Sequence, residues 1–171
     1  MKKILISFLL LYAQYTLAQR AVRYSGAVEA GMLKFQNRTI TADPGPNWKG
    51  YNLDQRQNGI TLNVVNGVVY RDRLFCGLGL GWLNFDGING VSVFGDFFWL
   101  VTKTRLAPVV GAKMGYTRLF NQYEGGTGSP LIELDGGLAY RFTERSAVEV
   151  RSGVTFTQQA AFIPLKLRLR F

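Results

Sequence analysis

The chain of 171 residues contains no histidine and a single cysteine, Cys76. Histidine is the commonest general base and metal ligand, so its absence removes the usual parts of many hydrolytic and metal-dependent sites. One cysteine can form neither an intramolecular disulfide nor a cysteine-rich zinc site. Hydrophobic residues make up 47% of the chain and charged residues 18%, which is atypical of disordered proteins. We therefore expect one folded domain with no enzymatic activity, no catalytic residue, no bound metal and no cofactor.

Long hydrophobic runs are also scarce. The N-terminal segment has Lys2 and Lys3, a short apolar stretch over 4–13 and small residues before Gln19. This pattern predicts a secretory signal peptide over residues 1–18, which leaves a domain over 19–171. No later stretch reaches 18 consecutive apolar residues, so no transmembrane helix is expected. An exported protein of this kind is either soluble or an outer-membrane β-barrel.

Apolar and polar residues alternate with a period of two after Arg20. This period is typical of β-strands and not of helices. The clearest case is the C-terminal segment, in which Lys166, Arg168 and Arg170 alternate with leucines. The alternation predicts eight strands, over residues 22–35, 58–70, 74–85, 91–102, 108–119, 131–142, 147–157 and 163–171. We expect an all-β fold, an eight-stranded antiparallel up-and-down transmembrane β-barrel.

The charges of these segments fall on one face of the predicted sheet. This polar face carries Arg23, Glu29, Asp96, Lys113, Glu133, Asp135, Arg141, Glu149, Arg151, Lys166, Arg168 and Arg170. On the apolar face only Lys34 and Arg118 are charged, both at segment ends, where a charge facing lipid costs least. We expect the polar face to line the lumen and its charges to form a structural network of salt bridges, because buried charges need partners.

Most strand glycines share the polar face, including Gly77, Gly79 and Gly81. An eight-stranded barrel is just wide enough for side chains to fill it. The glycines are therefore expected to make room for long charged side chains. The glycine-rich run lies within a strand and opens no helix, which argues against a nucleotide-binding loop.

The connections of the predicted barrel alternate in length. Those at 36–57, 86–90, 120–130 and 158–162 include the longest, and the others are short turns. Outer-membrane barrels pair short periplasmic turns with longer extracellular loops, so this alternation predicts that the N-terminus lies on the periplasmic side. The loop 36–57 contains Trp48 and Tyr51, which are the best candidates for contact with an extracellular partner.

These residues resemble the small outer-membrane β-barrel family of Gram-negative bacteria, the OmpA/OmpX-type, porin-like fold. The resemblance covers 22–171 and is most specific in the final strand, which ends on an aromatic residue. It implies that Leu165, Leu167, Leu169 and Phe171 form the signal that the barrel-assembly machinery recognises. It also implies contact with outer-membrane lipid at the cell surface, and no single activity, because the family shares a fold and a location.

Three functions remain open from the sequence. The first is a structural or surface-interaction role through the extracellular loops, with a filled lumen. The second is a narrow pore or small-ligand-binding barrel. The third is a soluble exported lipocalin-like carrier, which requires the opposite polarity, with apolar residues inside. Nucleic-acid binding is not expected, because the basic residues alternate with apolar ones and form no exposed basic helix or loop.

Overall fold

A computed structural model of the chain describes residues 22–38, 58–120, 127–143 and 145–171. The predicted signal peptide, Trp48 and Tyr51 lie outside the described residues. Eight strands form a closed antiparallel barrel in which every strand pairs with its neighbours in sequence. The strands are β1 (Val22–Arg38), β2 (Gly59–Tyr70), β3 (Leu74–Phe85), β4 (Ile88–Leu100), β5 (Leu106–Leu119), β6 (Thr127–Arg141), β7 (Ala147–Thr157) and β8 (Ala160–Arg170). The predicted fold class is confirmed.

The barrel closes between the first and last strands. Pairing of β1 with β8 sets Glu29 opposite Arg168, and a register shift follows between Phe35 and Asn37. Beyond the end of β8, the backbone of Phe171 exchanges two hydrogen bonds with Gly26, at 2.8 and 2.9 Å. Closure leaves no strand edge unpaired, which a membrane-spanning sheet requires because lipid offers no hydrogen-bond partner.

The predicted loops 36–57 and 120–130 are shorter in the structure, because β1 extends to Arg38 and β6 begins at Thr127. Two other connections are much shorter than predicted. The chain turns between β3 and β4 at residues 86–87 and between β7 and β8 at residues 158–159. Both are two-residue turns with positive φ at each position, 50° and 93° in the first and 52° and 56° in the second. This is the geometry that joins twisted antiparallel strands most tightly. The prediction of longer loops at 86–90 and 158–162 was therefore wrong.

The two ends of the barrel can be named by their connections. The loop end carries the two longest connections, 39–58 and 120–126, together with the two tight turns. At the turn end lie the connections 71–73, 101–105 and 142–146, the start of β1 and the end of β8.

Apolar side chains cover the outside of the barrel. Leucine, valine and aromatic residues point outward along every strand, for example Leu134, which is 60% exposed at the middle of β6. Val150, Leu165 and Leu167 are likewise exposed, whereas Glu149 and Arg168 beside them are fully buried. This polarity is that of a transmembrane barrel and the opposite of a lipocalin-like carrier. The described residues include no helix suited to crossing a membrane.

Candidate functional site in the barrel lumen

The structure buries ten of the twelve charges that the sequence assigns to the polar face. Five are basic and five are acidic, so their formal charges balance. They are Glu29, Asp96, Lys113, Glu133, Asp135, Glu149, Arg151, Lys166, Arg168 and Arg170. The other two, Arg23 and Arg141, are only partly buried and lie at the turn end. Lys34 and Arg118 are exposed on the outer face near the loop end.

Two lysines and two glutamates meet at the middle of the lumen. Lys113 on β5 donates a short hydrogen bond to Glu29 on β1 and lies 3.4 Å from Glu133 on β6. Lys166 on β8 donates a short hydrogen bond to Glu133 and lies 3.6 Å from Glu29. Each lysine thus bridges both carboxylates, and this crossed arrangement links the neighbouring strands β8 and β1 to β5 and β6 on the opposite wall.

Arg168 extends this group across the lumen. Its Nη1 lies 3.9 Å from Glu29 Oε2 and donates to Asp96 Oδ2 on β4 at 2.6 Å. The guanidinium also lies over the rings of Phe75 and Phe98, 5.2 and 4.9 Å from their centroids. The resulting six-residue cluster has three basic and three acidic members and is electrically neutral. Aromatic faces stabilise a desolvated cation further.

A second, four-residue cluster lies on β6, β7 and β8. Arg151 donates to Asp135 Oδ1 at 2.5 Å through Nη2 and at 3.1 Å through Nε. Glu149 lies 3.3 Å from Arg170 Nε and 3.9 Å from Arg151 Nη1. This cluster is also neutral, with two charges of each sign. Charges so deeply buried are tolerated only when paired in this way.

Phenylalanine rings make up much of the remaining lumen, which the sequence interpretation did not foresee. Phe75 and Phe98 are buried and stacked with their centroids 4.7 Å apart. Phe94 lies under Lys113, 5.3 Å from its ammonium. The sequence contains a signal for these buried rings, because Phe75 lies on the same face of its strand as the lumen-facing Gly77.

The glycines of the polar face provide space in two different ways. At Gly111 an added Cβ would meet Arg151 Nη2 and lie 2.7 Å from Asp135 Oδ1, so this glycine accommodates an ion pair as expected. At Gly77 an added Cβ would lie 2.7 Å from the Phe75 ring. On β3, Gly77 and Gly79 therefore make room for aromatic rings and Gly81 for the side chains of Asn63 and Ser92, not for charged side chains.

Apolar side chains are buried towards both ends of the lumen. Towards the loop end lie Phe35 beyond Glu29 on β1 and Leu119 beyond Lys113 on β5, within a buried group. Its members are Leu33, Phe35, Leu83, Phe85, Leu119, Ala160 and Phe162. Towards the turn end, Val69, Leu100, Ala107 and Ala139 are buried at about the same distance from the strand ends as Glu149 and Arg170. Between these apolar layers a cavity of about 20 Å³ remains beside Lys113, Glu133 and Lys166, enough for about one water molecule.

The other predicted site residues lie on the outer face or beyond the described residues. Leu165, Leu167, Leu169 and Phe171 are exposed along one side of the final strand. Cys76 is also exposed on the lipid-facing side of β3. There a thiolate is poorly solvated, so reactivity is not expected.

Comparison with solved structures identifies the architecture. Neisserial surface protein A superposes with a TM-score of 0.64 and 11% identity, over 87% of this chain and 97% of that one. The N-terminal β-barrel domain of OprF from Pseudomonas aeruginosa gives 0.56 and 15% identity, over 86% and 97%. The fold is that of bacterial outer-membrane β-barrels. Together with the apolar exterior, it supports an outer-membrane location for this protein. No protein-family model and no curated protein sequence matches the chain.

Proposed function

We propose that this protein is an integral outer-membrane barrel with a filled, non-conducting lumen. Its role is structural or surface-interacting, through the connections at the loop end. The observation that carries the proposal is the pair of neutral, buried ion-pair clusters, with buried apolar side chains towards both ends of the lumen. An enzymatic role is not proposed, because the lumen charges are already occupied with one another.

Ion passage is opposed by the pairing of the lumen charges. A permeating ion would have to displace Lys113 or Lys166 from two carboxylates at once, or separate Arg168 from Asp96. Either change leaves an uncompensated charge in a region of low dielectric, which is strongly unfavourable. The apolar layers add a second barrier, since they offer an ion no ligand.

The surface role is supported by the distribution of the connections. Both long connections leave the loop end, whereas the turn end carries three short turns and both ends of the described barrel. Outer-membrane barrels direct their longer loops outside the cell. We therefore propose that the connections 39–58 and 120–126 face the exterior, and that Trp48 and Tyr51 contact an extracellular partner.

Planar-bilayer recording tests the filled lumen. Protein extracted from outer membranes is expected to give no steady channels across repeated preparations. The double variant R168M/E149Q is expected to lower the melting temperature without opening a conductance, because the apolar layers remain. The matched control is R71Q/D72N, which removes a similar number of charges from exposed positions of the turn end and should leave stability unchanged. Steady channels in the unmodified protein would contradict the proposal and favour the narrow pore.

Cell fractionation tests the membrane location separately. We expect the protein in the outer-membrane fraction, with different gel migration before and after boiling in detergent. If the processed protein remained monomeric in buffer without detergent, the membrane-barrel proposal would be wrong and a soluble carrier would be favoured.

A further inference from the structure

We propose that the turn end of the barrel has a binding cleft for phosphate groups, formed by Arg23, Lys103 and Arg141. The phosphate belongs either to an anionic phospholipid or to a free phosphate ion. This site is distinct from the lumen clusters. A lipid as the source of the phosphate rests on the membrane location and orientation proposed above, whereas binding of a free phosphate ion does not.

Two arginines on the lumen-facing side of their strands, Arg23 and Arg141, belong to neither buried cluster. Five basic and five acidic residues neutralise one another inside the barrel. Arg23 and Arg141 are surplus to that balance. Together with Lys103 and Asp72 they line an open cavity of about 280 Å³ at the turn end. Their side chains come from β1, from the end of β6 and from two turns, so closure of the barrel is what brings them together.

Arg141 is held in position by the backbone of the adjacent turn. Its Nη2 donates to the carbonyl of Thr102 at 3.0 Å and its Nη1 to the carbonyl of Lys103 at 3.4 Å. These neutral acceptors do not cancel the charge of the guanidinium. Within the described part of the chain, neither Arg141 nor Lys103 has a carboxylate at ion-pair distance. Among these residues, no carboxylate competes with an anion for either cation.

Arg23 differs because it has a carboxylate partner. Its Nη2 lies 3.2 Å from Asp72 Oδ1 across the cleft, and both side chains are partly exposed. Asp72 offsets the charge of Arg23, which leaves the four cleft residues with a net formal charge of +2. Exposed pairs of this kind are weak and exchange partners readily. A phosphate with several acceptor oxygens can therefore bind Lys103 and Arg141 and share Arg23 with Asp72.

A second cavity adjoins the cleft and extends it towards the lipid face. This cavity of about 300 Å³ is lined by Lys103, Arg105, Arg141 and Phe142, together with two threonines. Phe142 is exposed on the outer face and packs against Tyr140, with centroids 5.2 Å apart. Aromatic residues at strand ends mark the headgroup level of the bilayer. An inner-leaflet phospholipid could therefore place its phosphate at the cations and its chains along the aromatic side chains.

Phosphate is favoured over a carboxylate ligand by the number of donors. Lys103 and Arg141 line both cavities, and Arg105 and Thr143 line the second one. Guanidinium groups match the geometry of phosphate oxygens, and a lysine adds a point charge. Several cations near a membrane surface also favour anionic over zwitterionic lipids.

Lipid and phosphate binding to the full barrel in detergent micelles tests the site. The probes are phosphatidylglycerol, phosphatidylcholine and inorganic phosphate, each titrated while backbone NMR shifts or native mass spectra are recorded. We expect saturable binding of phosphatidylglycerol, with weaker binding of phosphatidylcholine. The variant K103Q/R141Q should weaken it by about tenfold or more, since two charged donors are lost. K103Q alone should also weaken phosphatidylglycerol binding. This variant leaves the hydrogen bonds of Arg141 to the turn intact.

The matched control is R71Q/R73Q, which removes two positive charges from the same end but from outside both cavities. The affinity of this variant for phosphatidylglycerol should stay within about twofold of that of the unmodified protein, because only diffuse surface charge is lost. Saturable binding of inorganic phosphate at the same residues would show that a free phosphate ion binds the cleft without a lipid. Binding of phosphatidylglycerol alone would identify the lipid as the source. Equal losses in both double variants, or no saturable binding of either anionic probe, would overturn the proposal.

Discussion

Arg168 and Asp96 join opposite walls of the barrel. Arg168 Nη1 on β8 donates to Asp96 Oδ2 on β4 at 2.6 Å, and both side chains are fully buried. The two strands lie four places apart in a ring of eight, so this contact crosses the full width of the lumen. It couples the correct closure of the sheet to the pairing of two buried charges.

We predict that D96A strongly destabilises the barrel. Removal of one partner leaves Arg168 buried without its nearest counter-charge, which costs about 3–5 kcal/mol in the free energy of unfolding. The double variant D96L/R168M should cost less than D96A, because it leaves no unpaired charge at this contact. Urea unfolding of the folded barrel in lipid vesicles, followed by tryptophan fluorescence, gives these values.

The control for D96A is D72N at the turn end, because Asp72 has a positive φ of 58° that asparagine tolerates and alanine does not. Asp72 also pairs with an arginine, but that pair is exposed and should contribute less than about 1 kcal/mol. If D96A and D72N cost the same, the cross-lumen pair would have no special role in stability.

A second prediction concerns the close approach at Gly111. An added Cβ would collide with Arg151 Nη2 and displace the Arg151–Asp135 pair, so G111A should cost about 1–3 kcal/mol, as overpacking does. The control is G136A on the lipid-facing side of β6, where the nearest atom to an added Cβ is Val109 O at 3.5 Å. G136A should unfold within experimental error of the unmodified protein. The same urea experiment measures both variants.

The strands and their faces were predictable from sequence because one face meets lipid and the other meets charged side chains. In a membrane-spanning strand, the alternation of Lys166, Arg168 and Arg170 with leucines allows only one orientation, with the leucines facing lipid and the charges facing the lumen. The partners of these charges were not predictable. Lys166 bridges Glu29 and Glu133 because of the register of β1, β6 and β8. The alternation of apolar and polar residues fixes this register only to within an even number of residues.

The tight turns show a second limit. Asp86-Gly87 is a residue pair typical of two-residue hairpin turns, so the first turn was predictable from sequence. Gln158 and Gln159 adopt the same left-handed geometry without glycine, asparagine or aspartate. No local sequence signal marks this second turn, and the pairing of β7 with β8 imposes it.

A third prediction tests which face meets lipid. Leu134 lies at the middle of β6 and is 60% exposed on the outer face. L134K should cost about 2–4 kcal/mol, because a lysine at mid-depth faces hydrocarbon. The control I60K places the same charge near the loop end of β2, where the cost should fall to about 0–1 kcal/mol. Equal costs at the two depths would mean that the outer face is not immersed in a bilayer.

The last prediction concerns assembly through the C-terminal strand. The resemblance to small outer-membrane barrels implies that Phe171 is part of the recognition signal. In the structure its ring lies over Gly26, where an added Cβ would lie 2.8 Å from a ring carbon. Its backbone also completes the pairing of β1 with the final strand. F171A keeps that backbone pairing and removes only the ring.

We expect F171A to lower the outer-membrane yield and to leave protein in the periplasm, as measured by fractionation and immunoblotting. F142A is the matched control, because Phe142 is also an outward-facing aromatic residue of the turn end, exposed to a similar extent. General loss of the aromatic girdle would affect both variants alike, whereas recognition of the final strand affects F171A alone. Normal yield of F171A would show that the ring is not needed for assembly, and equal losses would assign it to membrane anchoring instead.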